Sequence, residues 1–260
     1  MNILFIGDIF GSPGRNLIKK YLPELKREFN IDFCIANGEN TAHGKGITEK
    51  TATELFLCGI DCFTSGNHIW DRKESIEYLK REPRILKPLN YHKDAIGATL
   101  YIANVGKSKL AVVNLIGQVY MNPIDSPFIA LDNILPEIKK ITNNIFIDFH
   151  AEATAEKRAL AFYFDGRVSA LIGTHTHVQT ADEDILPKKT AYISDVGMTG
   201  PHDSCIGVDK DIVIRKMITS MPQQFKPGVG GLQINAIVVG IDENTGKATG
   251  IQRILRKYNE

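Results

Sequence analysis

The chain has 260 residues, a formal net charge of +1, and 43% hydrophobic against 23% charged residues. That length suits one large α/β domain or two small ones, and the balance excludes intrinsic disorder. Acidic and basic residues are mixed, with no basic tail or stripe, so duplex nucleic-acid binding by phosphate neutralisation has no support, while a nucleotide-sized ligand stays open.

In chain order, residues 2–6 (NILFI) form a continuous apolar strand, and the lack of a basic flank argues against a signal peptide. The helix predicted over 11–29 has Ser12 as cap and Pro13 at its first position, with Leu17, Tyr21, Leu22, Leu25 and Phe29 near the helical period. Residues 31–36 (IDFCIA) are the next strand. A second helix opens at Thr48 and stops at Gly59. Residues 60–67 (IDCFTSGN) then give a third strand, and 72–82 a third helix ended by Pro83. Such repeated β-α-β predicts a buried parallel sheet under helical cover.

The middle of the chain changes character. Residues 97–117 read as two strands joined by a hairpin-like turn over 105–108, and 144–152 and 168–177 as two more strands ending in polar loops. Residues 232–258 form a second hairpin turning at 242–246, and 222–231 read as a mobile loop. The sum is a mixed sheet, or two sheets packed face to face, with helices outside. No repeat, low-complexity linker or composition break divides it, so residues 1–260 are read as a single domain. No run approaches the roughly 18 consecutive apolar residues of a membrane span. Cys34, Cys58, Cys62 and Cys205 are scattered without CxxC spacing, which points to a reducing cytoplasm.

Five strand-like segments finish in metal-capable side chains: LFIGD at Asp8, CIANGEN at Glu39 and Asn40, CFTSGNH at Asn67 and His68, IFIDFH at His150, and ALIGTHTH at His175 and His177. In open α/β sheets functional groups gather beyond the carboxyl ends of the strands, so parallel neighbours would bring these residues to one place. A carboxylate between two cations can use both oxygens, and neutral imidazoles and amide oxygens complete such a site. Mixed O/N donors suit iron, manganese, zinc or cobalt better than calcium. Two such ions about 3.5–4 Å apart clamp phosphoryl oxygens and supply a hydroxide nucleophile.

The blocks GD, GEN, GNH, a strand-final His and GTHTH resemble, in order, those of the calcineurin-like metallophosphoesterases. GDIFGSPGR, ANGENTAHGKGIT, SGNHIWD and SDVGMTGP are similar to its YmdB-type branch, whose members cleave phosphodiesters including 2′,3′-cyclic nucleotides. The resemblance runs over essentially the full length. It implies a four-layer α-β-β-α sandwich and a small nucleotide phosphodiester as substrate. It further implies Asp8, Glu39, Asn40 and His177 around one metal, Asn67, His150 and His175 around the other, Glu39 bridging, and His68 as the catalytic acid. Imidazole chemistry suits that role near neutral pH. The Asp-x-His pair of the wider superfamily is broken here, because Phe10 follows Asp8-Ile9, and the bridging residue is Glu39 where Asp is usual. With Asn40 in place of the missing imidazole the first site is richer in oxygen, which favours iron, then manganese, over zinc.

Taken singly, each residue has an ordinary role open to it: Asp8 as a helix cap, Asn67 as a left-handed turn residue, His150 as a hydrogen-bonded core histidine. The pair in GTHTH is the strongest piece, since alternating imidazoles project to one side of an extended segment. His43 and His92 read as solvated, and Trp70 and Tyr120 as core aromatics. His202 is a weaker candidate for the cleft. The competing readings are a phosphomonoesterase and a metal-dependent nucleotide-binding regulator. Association into a homo-oligomer is left open.

Overall fold

The computed structural model describes residues 1–258. Its first half contains β1 (Asn2–Ile6), β2 (Asp8–Ile9), α1 (Gly11–Glu28), β3 (Phe33–Asn37), α2 (Glu49–Leu57), β4 (Cys62–Thr64), α3 (Ile76–Arg81), β5 (Leu100–Val105) and β6 (Ser108–Ile116). Then follow α4 (Pro127–Lys139), β7 (Ile145–His150), α5 (Thr154–Phe164), β8 (Ala170–Thr174), β9 (Asp184–Ile185), β10 (Ala191–Ile193), β11 (Met198–Pro201), α6 (Lys210–Thr219), β12 (Leu232–Ile241) and β13 (Ala248–Tyr258).

Side-chain alternation builds the layers. In β1, Ile3 and Phe5 join one apolar cluster while Leu4 and Ile6 join another, as a period of two requires when both faces are covered. The cluster containing Ile3 and Phe5 also takes Leu110, Val112, Phe146 and Ile172 from the second sheet, so it lies between two sheets. Phe5 and Phe146 stack across it at 5.5 Å; burying one such ring contributes about 1.5–3 kcal/mol. Leu4 and Ile6 pack under α1 and α2 with Leu17, Leu22 and Leu55, while Val113 and Ile147 pack under α4 and α5 with Leu135 and Leu160. The result is helix, sheet, sheet, helix, the four-layer sandwich expected.

The first sheet runs β2-β11-β12-β1-β3-β4, with β13 on β12, and the second β5-β6-β7-β8-β10-β9. Strands β1, β3 and β4 are parallel, as are β6, β7, β8 and β10. Parallel neighbours need crossovers, and α4 and α5 supply those between β6, β7 and β8. Ala153 offers α5 no cap, and α4 carries an interior Pro136 although Ser126-Pro127 repeats the Ser-Pro start signal seen at residues 12–13.

Several local expectations hold. Thr48 caps α2 and forms a reciprocal box with Thr51, and Gly59 follows its end at φ +107°. The two hairpins turn at Gly106 and Gly246, both at positive φ. Others need correction. Helix α1 begins at Gly11 with Phe10 at the cap position and no capping side chain, so Ser12 lies inside the first turn. Pro13 is tolerated two residues deeper because first-turn N–H groups lack intrahelical acceptors. Tyr120 is 88% exposed and is no core residue, whereas Trp70 is half-buried and donates to the Ile96 carbonyl at 3.0 Å. The four cysteines are free, and no helix among the described residues is long and apolar enough to cross a membrane.

Candidate metal centre

The carboxyl ends of β1, β3, β4, β7 and β8 open onto one cleft, and all seven expected metal-binding side chains meet there. They form two groups with Glu39 between them. In the first, Asn40 Nδ2 lies 3.5 Å from Asp8 Oδ1 and 3.2 Å from His177 Nε2, and His177 Nε2 is 3.7 Å from Asp8 Oδ1. In the second, His150 Nε2 lies 3.2 Å from Asn67 Oδ1 and 3.0 Å from His175 Nδ1. Glu39 Oε1 is 3.0 Å from His150 Nε2 and 3.5 Å from Asn40 Nδ2, so one carboxylate touches both groups. The donor atoms of Glu39, His150 and His175 all lie within 4.8 Å of one another, close enough to share a single ion.

Backbone form decides how these side chains converge. Strand β8 ends at Thr174, and His175 and His177 follow at φ +109° and +66°. The imidazoles therefore do not meet by the alternation of an extended strand, which corrects that expectation. They meet because two non-glycine residues occupy left-handed backbone that costs free energy and that neighbouring contacts must hold in place. Gly66 lets the β4 loop reach the centre, since a Cβ there would overlap the His150 ring. Gly38 does not turn the chain at positive φ; it permits close approach, because its Cβ would sit 2.7 Å from Phe63 Cδ1.

Each ring has its far nitrogen fixed. His177 Nδ1 donates to the Ile206 carbonyl at 2.9 Å, which turns Nε2 toward Asp8, and His150 Nδ1 contacts Thr174 Oγ1 at 2.9 Å. Thr174 Oγ1 in turn donates to Asp148 Oδ1 at 2.8 Å. Such outer hydrogen bonds orient ligating imidazoles and raise their basicity. Burial opposes charge on Asp8, Glu39, Asp148, His150 and His175. It lifts the Asp8 carboxyl, and it lifts that of Asp148 to about 7. Burial also disfavours a charged His150, but the Glu39, Asp8 and Asp148 carboxylates together outweigh it and raise His150 to about 9. At Glu39, the His150 and His68 contacts outweigh burial and bring the carboxyl down to about 2. Burial and the nearby His150 charge push His175 to about 3, leaving it neutral. Buried carboxylates facing imidazole and amide donors fit a transition-metal cation pair.

His68 lines the cleft beside this group. Its backbone N–H donates to Glu39 Oε2 at 2.9 Å, and its Nδ1 meets Asp71 Oδ2 at 2.9 Å, leaving Nε2 for the cleft. Phe10 stands edge-on to His177 at 5.8 Å and fills a nest made by Gly44 and Gly207, where a Cβ would crowd its ring, with Gly200 against its Cβ and backbone. It is thus a wall of the first group rather than a donor. Arg72 donates to the Lys45 and Ala42 carbonyls at 2.9 and 2.7 Å and braces the glycine-rich 42–46 loop.

Three supports of the centre leave little mark in the sequence. Asp148 sits two residues before His150 in an apolar strand, and that isolated acid was the available signal. Asp195, in the SDVGMTGP block, accepts from Lys157 Nζ at 2.8 Å, Thr176 N at 3.0 Å and Gly197 N at 2.8 Å, and so clamps the residue between the two left-handed histidines. Glu152 Oε2 lies 3.0 Å from His175 Nε2. His43 is exposed at the cleft rim, His92 is on the surface, and His202 is tied to the Met198 carbonyl at 2.9 Å and does not line the cleft. The cleft encloses about 530 Å³; its apolar wall is Phe10, Ile206, Val208 and Phe225, and Lys45 and Lys226 are cations in its lining.

Two mixed sheets packed face to face, with carboxylate, amide and imidazole groups at the carboxyl ends of their parallel strands, define the calcineurin-like metallophosphoesterase fold. A Staphylococcus aureus putative 5′-nucleotidase shares that fold at TM-score 0.62 and 18% identity, over 98% of this chain and 54% of its own. Residues 4–254 match the family model described as YmdB-like protein, and the chain belongs to that family. It is 48% identical to the 2′,3′-cyclic-nucleotide 2′-phosphodiesterase of Bacillus subtilis, over 98% of this chain and 97% of the relative. A hypothetical protein from Thermus thermophilus superposes at TM-score 0.94 with 38% identity, over 100% of both chains.

Proposed function

We propose that this chain, a metal-dependent phosphodiesterase of the YmdB-like family, hydrolyses 2′,3′-cyclic nucleotides at a two-metal centre with His68 as general acid. The observation that carries the reading is Glu39, whose carboxylate lies between an Asp8–Asn40–His177 group and an Asn67–His150–His175 group. The name of the Bacillus subtilis relative supports the substrate class.

Asp8, Asn40 and His177 would hold one ion and Asn67, His150 and His175 the other, with Glu39 shared. Ions so held neutralise phosphate charge and activate water as the nucleophile. The oxygen-rich first group, with Asn40 where the wider metallophosphoesterase superfamily has imidazole, favours iron and then manganese. His68 supplies a proton to the departing ribose oxygen, and its Asp71 contact keeps the ring oriented for that transfer. The base lies against the apolar wall of Phe10, Ile206, Val208 and Phe225.

The test is hydrolysis of 2′,3′-cyclic AMP by metal-loaded protein, compared with His68→Ala and Glu39→Gln. A positioned acid contributes about 10²–10⁴-fold, so His68→Ala should lose activity in that range and retain its metal, whereas Glu39→Gln should lose metal as well. Unchanged turnover in both variants overturns the assignment.

A further inference from the structure

A second cavity, of about 590 Å³, opens between the 87–99 loop and the first turns of α4, and it shares no lining residue with the metal cleft. Lys87 lines it while being only 2% exposed. Burying an ammonium costs several kcal/mol unless a counter-charge accompanies it. The chain's other buried lysine, Lys157, has Asp195 at 2.8 Å. Lys87 has no acidic partner among the described residues: its Nζ reaches only the His92 carbonyl, at 3.4 Å. Burial alone lowers its pKa, with no opposing pull from a carboxylate, including Asp125 exposed at the rim.

The surroundings are built for that side chain. Gly97, at φ +122°, leaves the Lys87 stem lying along bare backbone, where a Cβ would come 3.3 Å from Lys87 Cβ. Facing it is the start of α4, a 13-residue helix with Pro127 at its first position and no side-chain cap from Ser126. Ser126, Ile129 and Ala130 of that helix end line the cavity. An uncapped helix N-terminus carries partial positive charge and free N–H groups. Two independent features, a buried lysine without a counter-ion and an uncapped helix start, thus present positive charge to one space.

We propose that this cavity is a second ligand site. It takes a small organic anion whose carboxylate or phosphate oxygen meets Lys87 Nζ and the α4 N-terminus while its apolar body packs on Leu89, Ile129 and Ile134.

The experiment is a site-resolved NMR titration of the full ¹⁵N-labelled chain, with butyrate in one arm and inorganic phosphate in the other. Saturable shifts are expected at Lys87, Gly97, Ile129 and Ala130 in at least one arm, and the arm that saturates identifies the head group. Lys87→Met should weaken binding at least about tenfold, the loss expected for one charge-assisted hydrogen bond. Ala130→Glu should block binding with the lysine intact, by hanging a carboxylate in the cavity, so a misfolded Lys87→Met does not decide the matter. No saturable shift with either anion, or undiminished binding in a folded variant, overturns the proposal.

Discussion

Lys157→Met tests how the two left-handed histidines are held. The Lys157 and Asp195 side chains are 2% and 1% exposed, with Nζ and Oδ2 2.8 Å apart. Removing the ammonium leaves the Asp195 carboxylate buried with only the N–H groups of Thr176 and Gly197 as donors. Breaking a buried pair from one side costs about 3–5 kcal/mol. For a chain of this size that corresponds to a fall in Tm of roughly 6–20 °C. Thr176 lies between His175 and His177, so metal affinity should fall along with stability. Denaturant unfolding gives the first quantity and metal titration the second. The double variant Lys157→Met/Asp195→Asn should recover much of the stability, because the amide is neutral and can still accept a backbone N–H. A loss below about 1 kcal/mol in the single variant, or a double variant no more stable than the single, would refute the clamp.

Protonation gives a second prediction. With His150 raised to about 9 and His175 lowered to about 3, the Glu39–His150 pair keeps its proton on His150 at pH 7 while His175 is neutral. Metal binding should release about one proton and tighten as pH rises toward 9, measured by calorimetry in buffers of different ionisation enthalpy. The sign for stability is the reverse: the contribution of the raised His150 is complete below its ordinary value of 6.5 and is lost as pH rises through about 9. No proton release would contradict the Glu39–His150 ion pair. Gly66→Ala should place a Cβ in the His150 ring and weaken metal binding by about 10–100-fold while circular dichroism stays native. Asp71→Asn should lower kcat by roughly tenfold, a fraction of the roughly 10²–10⁴-fold a positioned acid supplies, and leave metal content unchanged.

The candidate metal-binding residues were legible because each closes a short β-type run, and chemistry at a strand end needs only local sequence to be noticed. Asp8, Glu39, Asn67, His150 and His175 all announce themselves this way. The first three helices were equally local, as Thr48 with Thr51 and Pro83 show. Tertiary structure alone decided that β12, more than 200 residues from β1, sits beside it with Leu4 opposite Val238, since pairing across such a separation leaves no local mark. It also decided that His175 and His177 converge through left-handed backbone rather than strand alternation. The contacts that hold that backbone come from Asp195, Lys157 and Ile206, residues whose roles exist only once remote segments are packed together.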